Sequence, residues 1–428
     1  MYRRQLSYCQ FDFRCVSAKF SYRPPSIYFV SVSGDTHRYQ LAPVNCENKR
    51  TQTSQFLVFG CVIILDKIVE NNLLSCPLLR VCHGFDLPHQ DDALPRPSEN
   101  HYLNGKTLRM GSRGSKLALT QTENVRDLIL NIYPQIKIEI QVIKTKGDKI
   151  LDVALSKIGD KGLFTKELEV ALMEDTIDLA VHSLKDMPTR MPPGLSLGAI
   201  SIRHTSNDCL ILHEKHAGKT LDQLPEGSVV GSSSLRRVAQ LKRKFPSLVF
   251  KDIRGNLNTR LQKLDNGDYD GIILAVAGIS RLGLEKRISQ VIDEEVCHHA
   301  VGQGALGVQI RELDSHLRAL LLNTIHHRPT QFSCEAERSF LRETEGGCQV
   351  PVGVTSYYDQ DRTHLRLRGI VLSVDGSEAV EGEVTGSVKN SAEAIAIGKR
   401  LADDIKSRGG QEILQKVFAT LSRNQQVA

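Results

Sequence analysis

From Thr107 onward the apolar positions fall into two alternating rhythms, short β-rich runs and longer stretches with helical periodicity. The pattern predicts a strand over Thr107–Ser112, a helix over Lys116–Leu130 and a strand over Lys137–Ile143. A further helix, Phe164–Glu174, has Leu168, Ala171 and Leu172 on one face and leads to a strand at Asp178–Leu184. The grammar then repeats. A strand at Ser228–Gly231 feeds a helix at Ser234–Lys244, a strand at Leu248–Ile253 feeds a helix at Asn256–Leu264, and Gly271–Val276 reads as a strand buried on both faces. Such alternation marks α/β units with mostly parallel sheets. Beyond Arg328–Pro329 the pattern changes to a helix (Glu335–Arg342), three extended runs (Val352–Tyr358, Leu365–Val374, Ala379–Val388) and two helices (Ala392–Ser407, Gln411–Phe418), a small α+β unit.

Residues 1–103 show neither rhythm and end in the Pro-rich stretch Leu94-Pro95-Arg96-Pro97-Ser98, so they are expected to be a poorly ordered extension. Arg3, Arg4, Arg14, Lys19 and Arg23 against Asp12 and a late Asp35 leave a targeting leader as the alternative. The longest apolar run, Phe56–Leu65, is about half the roughly 20 residues that a spanning helix needs, so no membrane span is expected. None of the 10 cysteines forms a C-x-x-C pair, and Cys209, Cys297, Cys334 and Cys348 read as thiols of a reducing compartment.

A net charge of +6 on 428 residues indicates an acidic ligand without specifying one. The placement of the cations says more. Arg113, Lys185, Arg236, Arg237, Arg254, Arg260 and Arg281 stand at strand ends and helix starts, where open α/β sheets bind their ligands. In Ser232-Ser233-Ser234-Leu235-Arg236-Arg237, hydroxyls and free N–H groups at a helix start would hold oxyanions and the arginine pair would hold carboxylates. The plainer alternative is a serine cap followed by two solvated arginines. Arg254-Gly255-Asn256 repeats the arrangement one strand later.

Val181-His182-Ser183-Leu184-Lys185-Asp186-Met187-Pro188 sets a carboxylate at a strand end, where Pro188 stops any helix. Asp186 is either a turn residue or, among arginines, an ionised group that stabilises a developing cation. His182 reads as structural. In Glu345-Gly346-Gly347-Cys348-Gln349-Val350-Pro351, two glycines free the backbone to project Cys348 as a nucleophile or attachment point, whereas a buried thiol is the alternative. Gly302-Gln303-Gly304-Ala305-Leu306-Gly307 matches G-x-G-x-x-G, but no apolar strand precedes it, so dinucleotide binding is not expected and the glycines read as a tight turn into a crossing segment.

These motifs, with Gly111-Ser112-Arg113-Gly114-Ser115, occur in an order and spacing that resembles the porphobilinogen deaminase family from about Asn104 to the end. The resemblance implies two α/β domains like periplasmic binding proteins around a cleft, 104–204 with 302–320 and 205–301, plus an α+β domain 328–428. It implies stepwise condensation of four porphobilinogens, with loss of ammonia, onto a dipyrromethane cofactor covalently linked to Cys348, and hydrolytic release of hydroxymethylbilane. Asp186 and Lys185 would be catalytic. Arg113, Ser115, Lys185, Ser232, Ser234, Arg236, Arg237, Arg254 and Arg260 would hold the cofactor. Arg113, Gln121, Lys161, Phe164 and Arg281 would serve the substrate. Ser232 stands where members often carry threonine, which keeps the hydroxyl. A monomer with porphobilinogen and the growing polypyrrole as partners, and neither nucleic acid nor membrane, completes the expectation; the cytoplasm is the expected setting and a plastid, as in plant and algal members, the alternative. A non-catalytic anion-binding protein is the competing class, and it would require neither Asp186 nor Cys348.

Overall fold

The computed structural model describes Ile27–Val32, Tyr39–Val44 and residues 99–145, 147, 164–344 and 350–426. Met1–His89 form a unit of their own, whose described part is an antiparallel pair of strands, β1 (Ile27–Val32) and β2 (Tyr39–Val44). The expectation for the rest of 1–103 falls almost wholly outside the described residues. Gln90–Ala428 form the second unit.

Within it, β3 (Leu108–Arg113) buries Leu108 and Met110 and runs into α1 (Lys116–Ile132), whose first turn is capped by Ser115. The buried face of α1, Ala118, Thr122, Val125 and Ile129, follows helical spacing and covers the sheet. β4 (Ile138–Ile143), α2 (Lys166–Met173), β5 (Leu179–Ser183) and β6 (Leu195–Ile200) follow. The chain then crosses to a second sheet, formed by β7 (Asp208–Leu212), β8 (Val229–Gly231), β9 (Val249–Lys251), β10 (Gly271–Ala275) and β11 (Gln290–Val291). Here α3 (Leu235–Lys244), α4 (Leu257–Asp265) and α5 (Val276–Arg281) follow β8, β9 and β10. A second crossing brings β12 (Leu306–Arg311) back into the first sheet.

Both sheets therefore have one plan. The first is ordered β4-β3-β5-β12-β6 and the second β9-β8-β10-β7-β11. In each, three adjacent parallel strands are followed in fourth place by one strand of opposite direction, the strand that immediately follows a crossing, and the fifth strand, β6 or β11, runs the same way as the first three. Mostly parallel sheets were expected. β6, β7, β11 and β12 are the sheet members that the periodicity did not predict: none of β6, β7 and β11 is followed by an α-helix of the repeating strand–turn–helix unit.

α6 (Ser315–Thr324) leads to α7 (Arg328–Glu343) and to the antiparallel sheet β13 (Val352–Tyr358), β14 (His364–Leu372) and β15 (Ala379–Ser387). α8 (Ser391–Ile405) and α9 (Gln411–Gln426) complete this α+β region, where Phe340, Leu367, Ile397, Leu401 and Leu414 share a core. α7 starts seven residues earlier than the pattern suggested, since Pro329 sits in the first turn, where its missing N–H costs nothing, and His327 caps the end. α9 likewise runs on past Phe418 to Gln426.

The motif Gly302–Gly307 lies on the second crossing and precedes a strand instead of following one, the reverse of a dinucleotide fingerprint. Gly304, at φ +92°, packs against the carbonyl of His204 so closely that no β-carbon would fit. The two crossings thereby run side by side, joined by Ser201 N to Leu306 O (3.0 Å) and His204 N to Gly304 O (3.2 Å). α7 clamps both. Buried Glu337 receives Arg203 Nη1 and Nη2 at 2.6 and 2.8 Å from the first crossing, the Gly302 N–H at 2.8 Å from the second, and the Ser356 hydroxyl from β13.

Burial alone would raise the Glu337 carboxyl, but Arg203 outweighs it and brings it down to about 2 from an ordinary 4.5. The clamp's electrostatic contribution is thus complete above pH 4.5 and fades as pH falls towards 2. Glu337→Gln should lower the unfolding free energy by about 3 kcal/mol at neutral pH, because it leaves Arg203 without its counter-charge, and should flatten the acid limb. Urea titrations of both proteins from pH 3 to about 7 measure both effects.

Candidate active site

A cavity of ≈ 570 Å³ opens beyond the carboxyl ends of the parallel strands of both sheets. From the first sheet come Arg113 at the end of β3, Lys144 just past β4, and Ser183, Lys185 and Asp186 at the end of β5. From the second come Arg237 on α3, Arg254 and Asn256 past β9, Arg260 on α4 and Arg281 at the end of α5. Lys116 and Gln121 of α1, Phe164, and Gln303 and Gly304 of the second crossing fill the remaining wall. Eight cationic side chains thus face the cavity against one carboxylate, Asp186, among the described lining residues.

Local geometry explains most placements. Leu184–Asp186 make one 3₁₀ turn and Met187 is extended, the conformation preferred before a proline, so Lys185 and Asp186 sit on a fixed corner. The Arg113 guanidinium lies 4.2 Å from the centre of the Phe164 ring. Gln121 Nε2 donates to Ser183 Oγ at 3.0 Å. Arg281 Nη2 donates to the Gly304 carbonyl at 2.6 Å, and Arg260 Nε to the Gly255 carbonyl at 2.9 Å, from a glycine at φ +106°. Asn256 caps α4 through Thr259 N (3.0 Å).

Behind the wall lies Asp208, the first residue of β7. It is fully buried and accepts Arg236 Nη1 and Arg237 Nη2, each at 2.7 Å, and Gln303 Nε2 at 2.8 Å. Burial would raise its carboxyl; the two guanidinium groups overcome this and hold it far below the carboxylate range. Burial lowers Lys185 to about 8, with Asp186 opposing and Arg237 adding to the effect. Burial also lowers Arg260, with Arg237 and Arg254 contributing, and Arg281; both come down to about 10. Cations weakened this way gain most from a bound anion.

Several expectations change. Arg236 does not line the cavity: it is turned inward between Asp208 and the His298 carbonyl, 2.7 Å from each, because β7 supplies a buried carboxylate behind α3. Ser232 and Ser234 are also outside the lining. Ser232 is buried and accepts the Ser234 N–H at 3.3 Å, while Ser234 caps α3 through Arg237 N. Ser115 does line the cavity although its Oγ caps α1 at 3.3 Å. His182 is buried one residue before Ser183 and pushed down to about 4, by burial first and then by Arg113, as suits a structural histidine. Lys161 and Cys348 lie outside the described residues. Lys144, Gln303 and Asp208 were missed; for Lys144 the available signal was its place after a strand, as for Arg113.

A family model described as "Porphobilinogen deaminase, dipyromethane cofactor binding domain" matches residues 108–319, and one for the C-terminal domain of the same enzyme matches 331–407. The chain belongs to the porphobilinogen deaminase family. Porphobilinogen deaminases of Nostoc sp., Gloeobacter violaceus and Dictyostelium discoideum are 54%, 53% and 50% identical to it. The alignments cover 74%, 73% and 72% of this chain and 97%, 94% and 95% of those proteins. The family is a transferase of tetrapyrrole biosynthesis, a hydroxymethylbilane synthase, and its cofactor is a dipyrromethane. The cavity fits such a group. Each of its pyrroles carries an acetate and a propionate, and the wall offers cations from two sheets with the lowered Arg260 and Arg281 among them.

Asp208→Asn removes the charge that brackets two buried guanidinium groups. It should cost about 3 to 5 kcal/mol in denaturant unfolding, a larger loss than Asp252→Asn at the half-exposed partner of Arg254.

Proposed function

We propose that this chain condenses porphobilinogen units with Asp186 as the catalytic carboxylate and Lys185 beside it. In this reading Arg113, Ser115, Gln121, Lys161, Phe164, Arg237, Arg254, Arg260 and Arg281 hold the acetates and propionates of cofactor and substrate. Arg236, Ser232 and Ser234 act from behind, by fixing Arg237 and the start of α3. Cys348 is the attachment point. When bound, the dipyrromethane supplies the free α-carbon to which successive units are joined.

The observation that carries the reading is Asp186 as the one described carboxylate in a wall of cations. Loss of ammonia from the aminomethyl group of porphobilinogen leaves positive charge shared with its pyrrole nitrogen. An ionised Asp186 stabilises that charge and takes up the proton released from the α-carbon when the new carbon–carbon bond forms. The bond to nitrogen breaks, the bond to carbon forms, and ammonia carries off the substrate's amine. The arginines hold each added pair of carboxylates, and water releases the tetrapyrrole as hydroxymethylbilane.

The cleft domains are taken as 104–204 with 302–320 and 205–301, and the cofactor-bearing domain as 328–428. The shared plan of the two sheets and the separate three-stranded sheet support this division. The chain acts as a monomer, the state that the family resemblance implies. A cytosolic setting is supported by the buried free thiols Cys209, Cys297 and Cys334. Among the described residues no helix is long and apolar enough to cross a membrane.

Asp186→Asn should keep the fold and the bound cofactor while turnover of porphobilinogen falls at least about a hundredfold. Turnover within a factor of about two of the parent would remove Asp186 from the mechanism.

A further inference from the structure

Gln303 lies on the second crossing, and its side chain is almost fully buried. Its Oε1 accepts from Lys185 Nζ at 3.3 Å. Its Nε2 donates to Asp208 Oδ1 at 2.8 Å and to the Ser206 carbonyl at 2.6 Å. One neutral amide therefore touches three parts of the molecule: the β5 corner of the first sheet, the first strand of the second sheet, and the first crossing. Its two ends match their partners, an acceptor for the ammonium and a donor for the carboxylate. Glutamate would set a second carboxylate on Asp208, and an apolar side chain would satisfy neither partner.

We propose that Gln303 is a positioning residue of the deaminase reaction: its amide fixes Lys185 beside Asp186 and ties both to the Asp208–Arg237 wall. The cations of the two sheets then keep one spacing around the reacting carboxylate. This deepens the function proposed above and rests on the roles given there to Lys185 and Asp186. Among the described residues, the charged groups that act on Lys185 include Asp186 on its own turn, Arg236 and Arg237 from α3, and Asp208 from β7. Burial and the arginines favour the neutral amine, whereas the two carboxylates and the Gln303 carbonyl favour the ammonium.

The test uses the holoenzyme and Gln303→Met, which keeps the size and removes the amide. Acetic anhydride labelling of Lys185 across pH, read by mass spectrometry of the peptide that contains it, reports the lysine independently of turnover. The midpoint is expected to fall by about one pH unit in the variant, because the ammonium loses an acceptor. kcat/KM should fall about tenfold, with the cofactor mass retained. An unmoved Lys185 midpoint in a folded, cofactor-bearing variant overturns the proposal, even where the melting temperature drops, since that pattern belongs to a purely structural residue. Should Gln303→Met not fold, Gln303→Asn, one methylene too short to reach both partners, is judged by the same criterion. An active Asp186→Asn with a shifted Lys185 midpoint in Gln303→Met would locate the failure in the catalytic reading and not in the Gln303 contact.

Discussion

Eight cations around one cavity of ≈ 570 Å³ repel one another, and the fold offsets that repulsion from one layer behind the wall. Asp208 does this most directly: its carboxylate brackets Arg236 and Arg237 and receives Gln303, so a single buried charge sets where one wall of the cavity stands. Arg236 is turned away from the cavity in this contact, while Arg237, held by the same carboxylate and by the Ile273 carbonyl, still lines it. Since an unpaired charge at such depth costs several kcal/mol, the pairing holds the geometry whether or not an anionic ligand is present. Asp186, by contrast, is left in the wall itself, facing the cavity.

The second constraint is mechanical. Two chain crossings join the sheets, packed backbone to backbone at Gly304, and Glu337 of α7 grips both through Arg203 and the Gly302 N–H. The α+β region thereby contacts the very segments about which the two sheets could turn. Arg203 also donates from Nε to the Gln303 carbonyl at 2.9 Å, so the clamp and the cavity wall are one residue apart.

Much of this was legible in the chain. The parallel strands, their helices and the cations at their ends were visible because a strand–turn–helix unit carries strong periodicity and places its charges where ligands bind. The antiparallel strands β7 and β12 were not, and with them went the reason for the fate of Arg236. A guanidinium at a helix start looks the same in sequence whether it meets a ligand or a buried Asp208 two strands away in the sheet order. Gln303 was hidden similarly, inside a glycine motif whose side-chain partners all come from distant segments. The resemblance of the motifs to one family supplied the chemistry of Asp186 and Cys348, which their local sequence left open between turn residue, buried thiol and active group.

The account stands on a polyanionic cofactor held by a covalent bond and lengthened in place. Its most direct test is the intact mass of the protein, purified from a host that makes porphobilinogen, before and after mixing with a limited amount of that substrate. The account predicts an excess of one dipyrromethane on the peptide that contains Cys348, rising in equal steps of one porphobilinogen less ammonia. A mass equal to the bare chain, or one that stays fixed while substrate is consumed, would contradict it.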